Sequence, residues 1–432
     1  MNNEHAPRPN KRPRRDETRE RKRVAHSAPS SSGAQRELPG RAFHYRVPRA
    51  DDLLQQASRC SLSKVGPTEI GYFSKYSASD VRFDRSNLLK YKEPTLGANL
   101  LHGIETYIPK EEQYPDAHPA PIAPILAALE HFQGHRTDAA APHFVTFRNN
   151  LNKIMGTPYN SSSEWTFLAE KRNGCVYLDV HRTQSDLDTA SRGVHENQRR
   201  GAYAGRQFEL ASTHAKPPSE HDGEKGTGSS TSSQPSGERA VNEDEEYCGL
   251  FASTLVGKRL VIAAEIDCFD GSKDNYVELK TFRVLQREKD QFVFERFKLL
   301  AFWIQSFVVG IPKIVCGFRN DDFELCKLQS FKTVDIPSFC RKYWVRTCLF
   351  FSPTACLNFT SNFLDWLRAT AQEGRVYQVT YVPRQHAIRM TELSTEAPSQ
   401  SVSPSFLPAQ MGASTSGITI EAPAKAYSAN DF

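Results

Sequence analysis

Two short apolar segments carry charges at positions where a strand would bury them. LVIAAEIDCFD sets Glu265 and Asp267 in an aliphatic run, and NYVELKT does the same with Glu278 and Lys280. Both segments are rich in β-branched and aromatic residues and read as β-strands. Side chains two residues apart on a strand share a face, which groups Glu265 with Asp267 and Glu278 with Lys280. DGSKDN between them is rich in turn formers, as a hairpin connection requires. Once the strands pair, three carboxylates and one ammonium meet on one patch. Carboxylates so crowded repel one another and do not all stay ionised without a compensating charge.

A divalent cation supplies that charge, and hard oxygen ligands suit Mg²⁺ or Mn²⁺. The lysine can then orient a water or neutralise a phosphate. This is the D…ExK arrangement of metal-dependent nucleases. The competing reading is an ordinary amphipathic strand, since a lone Glu-x-Asp or Glu-x-Lys is common on a solvated face. The apolar flanks of both segments favour the site.

The chain has 432 residues, room for one large domain or a few small ones. Its hydrophobic share of 38% and mean hydropathy of −0.56 are low for a chain that folds throughout, which predicts sizeable disordered segments. Residues 1–40 are rich in Pro, Ser and Arg without an apolar period and read as a disordered basic tail. KRPRR (11–15) and RERKR (19–23) within it resemble a bipartite nuclear localisation signal; a solvated tail touching RNA nonspecifically is the alternative. Residues 213–246 form a low-complexity insertion, and 394–432 a second disordered tail. The nine cysteines show neither CxxC nor zinc spacing. Several lie in apolar strands as buried thiols, which points to a reducing compartment. No apolar N-terminal stretch marks a secreted protein. Residues 299–318 are broken by Gln305, Pro312 and Lys313 and read as a buried helix followed by a buried strand, not a membrane span.

The ordered part, 41–393, reads as one α+β domain of mixed β-sheets flanked by helices. Helices are expected over 143–159, 191–212, 292–308 and 359–373. Strands are expected at GCVYLDVH, 247–256, 258–268, 275–283, 313–319, 324–331 and VYQVTYV.

Five blocks then fall in the order of a known family. VTFRNNLNKIMGTPY carries Arg148, AGRQFE carries Glu209, AEIDC carries Glu265 and Asp267, YVELKT carries Glu278 and Lys280, and LLAFWIQSFVVGIPKIVCGFRN carries Gln305. Across 67–381 the chain resembles the eukaryotic decapping exoribonucleases (DXO) and their fungal relatives, which partner a nuclear 5′→3′ exoribonuclease. The resemblance implies a D…ExK nuclease-like core. It implies metal ligation by Glu209, Glu265, Asp267, Glu278 and the backbone carbonyl of Leu279. It implies catalysis by Glu265, Asp267, Glu278 and Lys280, and substrate contacts from Arg148, Cys248, Glu265, Lys280 and Gln305. Four acids can hold two divalent ions about 3.5–4 Å apart, and Leu279 must point away from the acidic face to leave its carbonyl available. Arg148 suits a two-point phosphate contact. Standing alone, Arg148 would read as half of a surface ion pair, Glu209 as an exposed helix glutamate and Gln305 as a rim residue.

The sequence also departs from the family pattern. Arg206 stands where an aromatic or aliphatic residue is usual, Asn149 where glycine is common, and Ser79 near a position where relatives carry a substrate-contacting arginine. The activity implied is metal-dependent removal of incomplete or non-standard RNA caps, NAD caps included. Pyrophosphate release from triphosphate ends and 5′→3′ degradation are its companions, and the expected setting is the nucleus, without a membrane. The rival is a non-catalytic protein that holds RNA ends or stabilises a larger exonuclease. A DNA-directed nuclease would share the metal chemistry and differ only in indifference to the 2′-OH.

Overall fold

The computed structural model describes residues 41–56, 66–77, 79–113, 122–133, 141–181, 195–214, 240–255, 257–272, 275–341 and 351–393. The basic clusters at 11–15 and 19–23, most of the expected insertion and the expected C-terminal tail lie outside them. At the insertion's edges, Thr213 bridges to Tyr91, Lys110 pairs with Asp244 at 2.9 Å, and Glu246 opens a strand. Residues 213, 214 and 240–246 therefore belong to the folded body.

The described strands form two sheets. The larger runs β1 (Ala42–Arg46), β14 (Ala387–Glu392), β13 (Val376–Val382), β5 (Trp165–Arg172), β6 (Cys175–Val180), β4 (Phe144–Phe147), β8 (Lys258–Glu265), β7 (Glu246–Leu255), β2 (Thr68–Lys75), β3 (Val81–Arg82). The smaller runs β12 (Leu325–Lys332), β11 (Lys313–Arg319), β10 (Tyr276–Arg283), β9 (Cys268–Phe269). Both are mixed: β4 runs parallel to β6 and β8, and β10 parallel to β11.

The larger sheet is covered on both faces, so its central strands are apolar runs, not alternations. On β8, Leu260, Ile262 and Ala264 join the main core, with Trp303, Phe363 and Trp165. Val261 and Ala263 point the other way, toward Ile125 and Leu129 of the helix Ala123–Gln133. A third cluster lies on the smaller sheet, where Ala204 and Phe208 of the helix Glu196–Ala211 meet Val277, Leu279 and Val315. Gly317 permits that contact: a Cβ there would stand 2.5 Å from the Phe208 ring. Among the described residues no helix is long and apolar enough to cross a membrane.

Four expectations need correction. The helix expected over 359–373 spans Pro353–Thr370, with Pro353 opening its first turn. The helix expected over 143–159 begins only at Arg148; residues 144–147 are β4, inserted between β6 and β8. FVTF suits a buried strand, and sheet pairing overrides the apolar spacing it shares with the helix. The helix expected over 292–308 starts at Glu288 and contains a π turn over Phe294–Lys298. The expected hairpin is also different. β8 pairs with β7 and β4 in the larger sheet, and only Cys268 and Phe269 pair with β10. The chain changes sheets at Ile266 and Asp267. Glu265 and Asp267 therefore do not share the face of one strand; Glu265 reaches the site from the C-terminal end of β8, an interior strand of the larger sheet, and Asp267 from the link that leads into β9.

Candidate metal and RNA-end site

β10 places the central group. Its alternation turns Leu279 into the apolar cluster beneath the helix Glu196–Ala211 and leaves Glu278 and Lys280 on the opposite face. Glu278 is fully buried, at 0% exposure. A buried carboxylate is tolerated only when donors surround it, and here three do. Arg148 Nη1 donates to its Oε2 at 2.9 Å, Gln305 Nε2 donates to its Oε1 at 2.6 Å, and Lys280 Nζ donates to the same Oε1. Arg148 opens the helix Arg148–Gly156, whose Leu151, Ile154 and Met155 fix it in the core. Gln305 lies on the helix Leu299–Phe307, where an otherwise apolar stretch aims one amide at Glu278.

Asp267 lies at the junction between the sheets. Its Oδ2 accepts the Leu279 N–H at 2.6 Å and lies 3.8 Å from Lys280 Nζ. Lys280 also donates to the Leu279 carbonyl at 3.0 Å. Burial alone would raise both acids. At Glu278 the charges of Arg148 and Lys280 outweigh burial and hold the carboxyl below its usual value. At Asp267 burial and the neighbouring Glu278 outweigh Lys280 and hold it well above. Asp267 and Glu278 thus share the one ammonium of Lys280.

The other two acids form a second pair. Glu209, on the helix Glu196–Ala211, and Glu265, at the end of β8, share one guanidinium. Arg206 Nη1 donates to Glu209 Oε2 at 3.1 Å and to Glu265 Oε1 at 3.0 Å. Cys248 stands opposite Glu265 in the β7–β8 register, and burial raises its thiol so that it stays neutral. Every expected site residue therefore lies in this one region. Among the departures, Ser79 and Asn149 are exposed.

Behind the site is a network that sequence reasoning missed. Glu69 Oε1 accepts from Tyr247 Oη at 3.0 Å and Tyr276 Oη at 2.8 Å. Arg85 pairs with Glu69, donates to Tyr276 Oη at 3.0 Å and lies 4.3 Å from the Tyr72 ring centre. Tyr247 precedes Cys248 and Tyr276 lies two residues before Glu278, so this network ties β2, β7 and β10 together at the base of the site. A glutamate inside the apolar strand TEIGYFSK was its sequence signal, of the same kind that disclosed Glu278.

The donor set, carboxylates and one carbonyl, suits a hard divalent ion at Asp267, Glu278 and the Leu279 oxygen. With the side chains arranged as they are, no three Asp, Glu, His or Cys among the described residues stand ready as a metal cage. Lys280 contacts Asp267 and Glu278, and Arg206 contacts Glu209 and Glu265.

The chain matches the model of the RAI1-like PD-(D/E)XK nuclease family over residues 65–411. It is 30% identical over 338 residues to the decapping nuclease RAI1 of Neurospora crassa, covering 75% of this chain and 77% of that protein. Solved structures that share its fold include two with bound ligands. Candida albicans Rai1 in complex with pU5-Mn²⁺ has a TM-score of 0.65 at 23% identity, covering 82% of this chain and 94% of that one. Scheffersomyces stipitis Rai1 in complex with (3′-NADP)⁺ and calcium ion has a TM-score of 0.65 at 21% identity, covering 83% and 94%.

Proposed function

Because the chain belongs to the RAI1-like PD-(D/E)XK nuclease family, we propose that it is a divalent-metal-dependent hydrolase of RNA 5′ ends. It removes incomplete or non-standard caps, NAD caps included, by cutting the phosphodiester after the first nucleotide. It releases pyrophosphate from triphosphate ends and degrades RNA 5′→3′ at the same site. The observation that carries this reading is the fully buried Glu278, held by Arg148, Gln305 and Lys280, with Asp267 bonded to the Leu279 N–H beside it. A decapping relative, and folds of this kind that bind a 5′-phosphorylated RNA or a nicotinamide dinucleotide, support it.

Asp267, Glu278 and the Leu279 carbonyl would hold the ion. Mg²⁺ or Mn²⁺ held there would supply a Lewis acid for the attacking water and the departing oxygen. Gln305 and Arg148 fix the two oxygens of Glu278 so that the carboxylate does not turn. Lys280 is a compact point charge among Asp267, Glu278 and the Leu279 oxygen, suited to meet a phosphate oxygen or orient a water. Arg148 keeps its charge while buried and has donors beyond the one given to Glu278, which suits a phosphate. Cys248, as a neutral thiol, packs against substrate and does not attack it.

The test uses end-labelled RNAs bearing monophosphate, triphosphate, unmethylated cap, methylated cap or NAD, with and without Mg²⁺ or Mn²⁺. Hydrolysis is expected with metal only, and Asp267→Ala, Glu278→Ala and Glu278→Gln should each abolish it on every end. A parent protein inactive on all five ends would overturn the enzyme reading and leave a non-catalytic RNA-end or exonuclease partner. Activity that survives both alanine changes would move the centre elsewhere.

The setting we propose is the nucleus, with a 5′→3′ exoribonuclease as protein partner. The paired basic clusters support import. Replacing Lys11, Arg12, Arg14, Arg15, Arg21, Lys22 and Arg23 with alanine should move a tagged protein to the cytoplasm; unchanged nuclear accumulation would argue against it. Co-elution of the purified protein with such an exoribonuclease is the expected sign of partnership, and separate elution would speak against it.

A further inference from the structure

We propose that Arg206 is a tethered counter-cation that fills the place between Glu209 and Glu265. This chain then binds a single divalent ion, at Asp267, Glu278 and the Leu279 carbonyl, although its four carboxylates would suffice for two. The proposal deepens the functional reading above and rests on it for the ligand roles of Asp267 and Glu278.

Arg206 and Glu209 are three residues apart on one helix, so their side chains stand on the same face. One nitrogen, Nη1, reaches both Glu209 and Glu265, at 3.1 and 3.0 Å. A group that touches both members of a carboxylate pair at hydrogen-bond distance occupies the position a bridging cation would take. The helix that carries both side chains is anchored on the smaller sheet and its neighbours. Phe208 is buried against the glycine gap at Gly317, and Tyr203 donates to the His102 carbonyl. Thr213 Oγ1 donates back to the Glu209 carbonyl at 2.8 Å. The guanidinium cannot be titrated away near neutral pH. A second divalent ion would therefore have to displace two charge-assisted hydrogen bonds, the stronger class of such contacts.

The other pair is held differently. Lys280 is a single flexible ammonium, 3.8 Å from Asp267 Oδ2 and 3.0 Å from the Leu279 oxygen. It also donates to Glu278 Oε1, but Arg148 and Gln305 hold that carboxylate independently, so a cation that displaces Lys280 leaves Glu278 in place. Arg206 is also partly open to solvent, with 31% of its side chain exposed. Its remaining N–H donors would face substrate phosphate where a second ion would otherwise lie.

The experiment counts ions on the folded, full-length protein by titrating Mn²⁺ and reading unbound Mn²⁺ by electron paramagnetic resonance. One ion per chain is expected for the parent, two for Arg206→Leu, and one for Arg206→Lys, which keeps the charge. Asp267→Ala should lose the single ion of the parent. Two ions on the parent would overturn the proposal and leave the functional reading intact. One ion on a natively folded Arg206→Leu protein would also overturn it. No ion on the parent would instead remove Asp267 and Glu278 as ligands, and with them the reading on which the proposal stands. The parent count can overturn the proposal by itself, so a variant that fails to fold does not shelter it.

Discussion

At the scale of single residues, burial decides what each acid needs. Glu278 has no solvent and takes three donors instead, one of them a guanidinium that is itself buried. Removing one partner of such a pair strands the other and costs about 3–5 kcal/mol, so Arg148 supports the fold as well as the substrate. Asp179 shows the opposite solution. It is 1% exposed in the fully buried strand β6, and its Oδ1 accepts the Val180 N–H at 2.8 Å. Burial pushes its carboxyl up to about 7. An unfolded aspartate titrates near 4, so between about pH 4 and 7 the folded state binds the extra proton. Stability must therefore fall as pH rises through that window and level off above it. Asp179→Asn keeps the acceptor and removes the charge. It should stabilise the protein by roughly 2–4 kcal/mol at pH 8, and by less at pH 5, as read by urea unfolding at the two values. An equal gap at both would mean that Asp179 titrates normally.

At the scale of elements, the site depends on how closely one helix approaches one sheet. The helix Glu196–Ala211 carries Arg206 and Glu209, and Phe208 on its buried side fits where Gly317 of β11 has no side chain. A Cβ at Gly317 would stand 2.5 Å from Phe208 Cε2 and 2.8 Å from Leu325 Cδ1. Both neighbours are at 0% exposure and have little room to retreat. Gly317→Ala should therefore cost about 1–3 kcal/mol, as overpacked cores do, and lower the thermal unfolding midpoint by a few degrees. An unchanged midpoint would show that the helix yields without strain. Much at this scale was legible beforehand. The end of the Glu209 helix, the strands at 313–319 and 376–382, and the opposed faces of Glu278 and Leu279 all follow from local period and breakers. β4 was not, because four residues of strand joined directly to a helix carry too short a pattern to separate the two.

At the scale of the whole molecule, four carboxylates and three cations from distant parts of the chain meet where the two sheets adjoin. A metal that binds this arrangement and not the unfolded chain stabilises the fold by mass action. Mn²⁺ at a hundred times its dissociation constant should add about 2.7 kcal/mol, seen as a rise in unfolding midpoint. Asp267→Ala should lose that rise. A midpoint indifferent to Mn²⁺ in the parent would count against the proposed ligands.

The sequence by itself determined the chemistry available: which acids, which lysine, and that β10 would present Glu278 and Lys280 together while hiding Leu279. Those are consequences of a two-residue repeat that any strand obeys. Only the tertiary structure decided the company each acid keeps. Arg148 meets Glu278 across 130 positions of sequence and Arg206 meets Glu265 across 59, and the chain leaves one sheet for the other at Ile266 and Asp267. Such pairings arise from packing between elements. No local pattern specifies them, because a side chain's periodicity fixes the face it occupies and not what stands opposite.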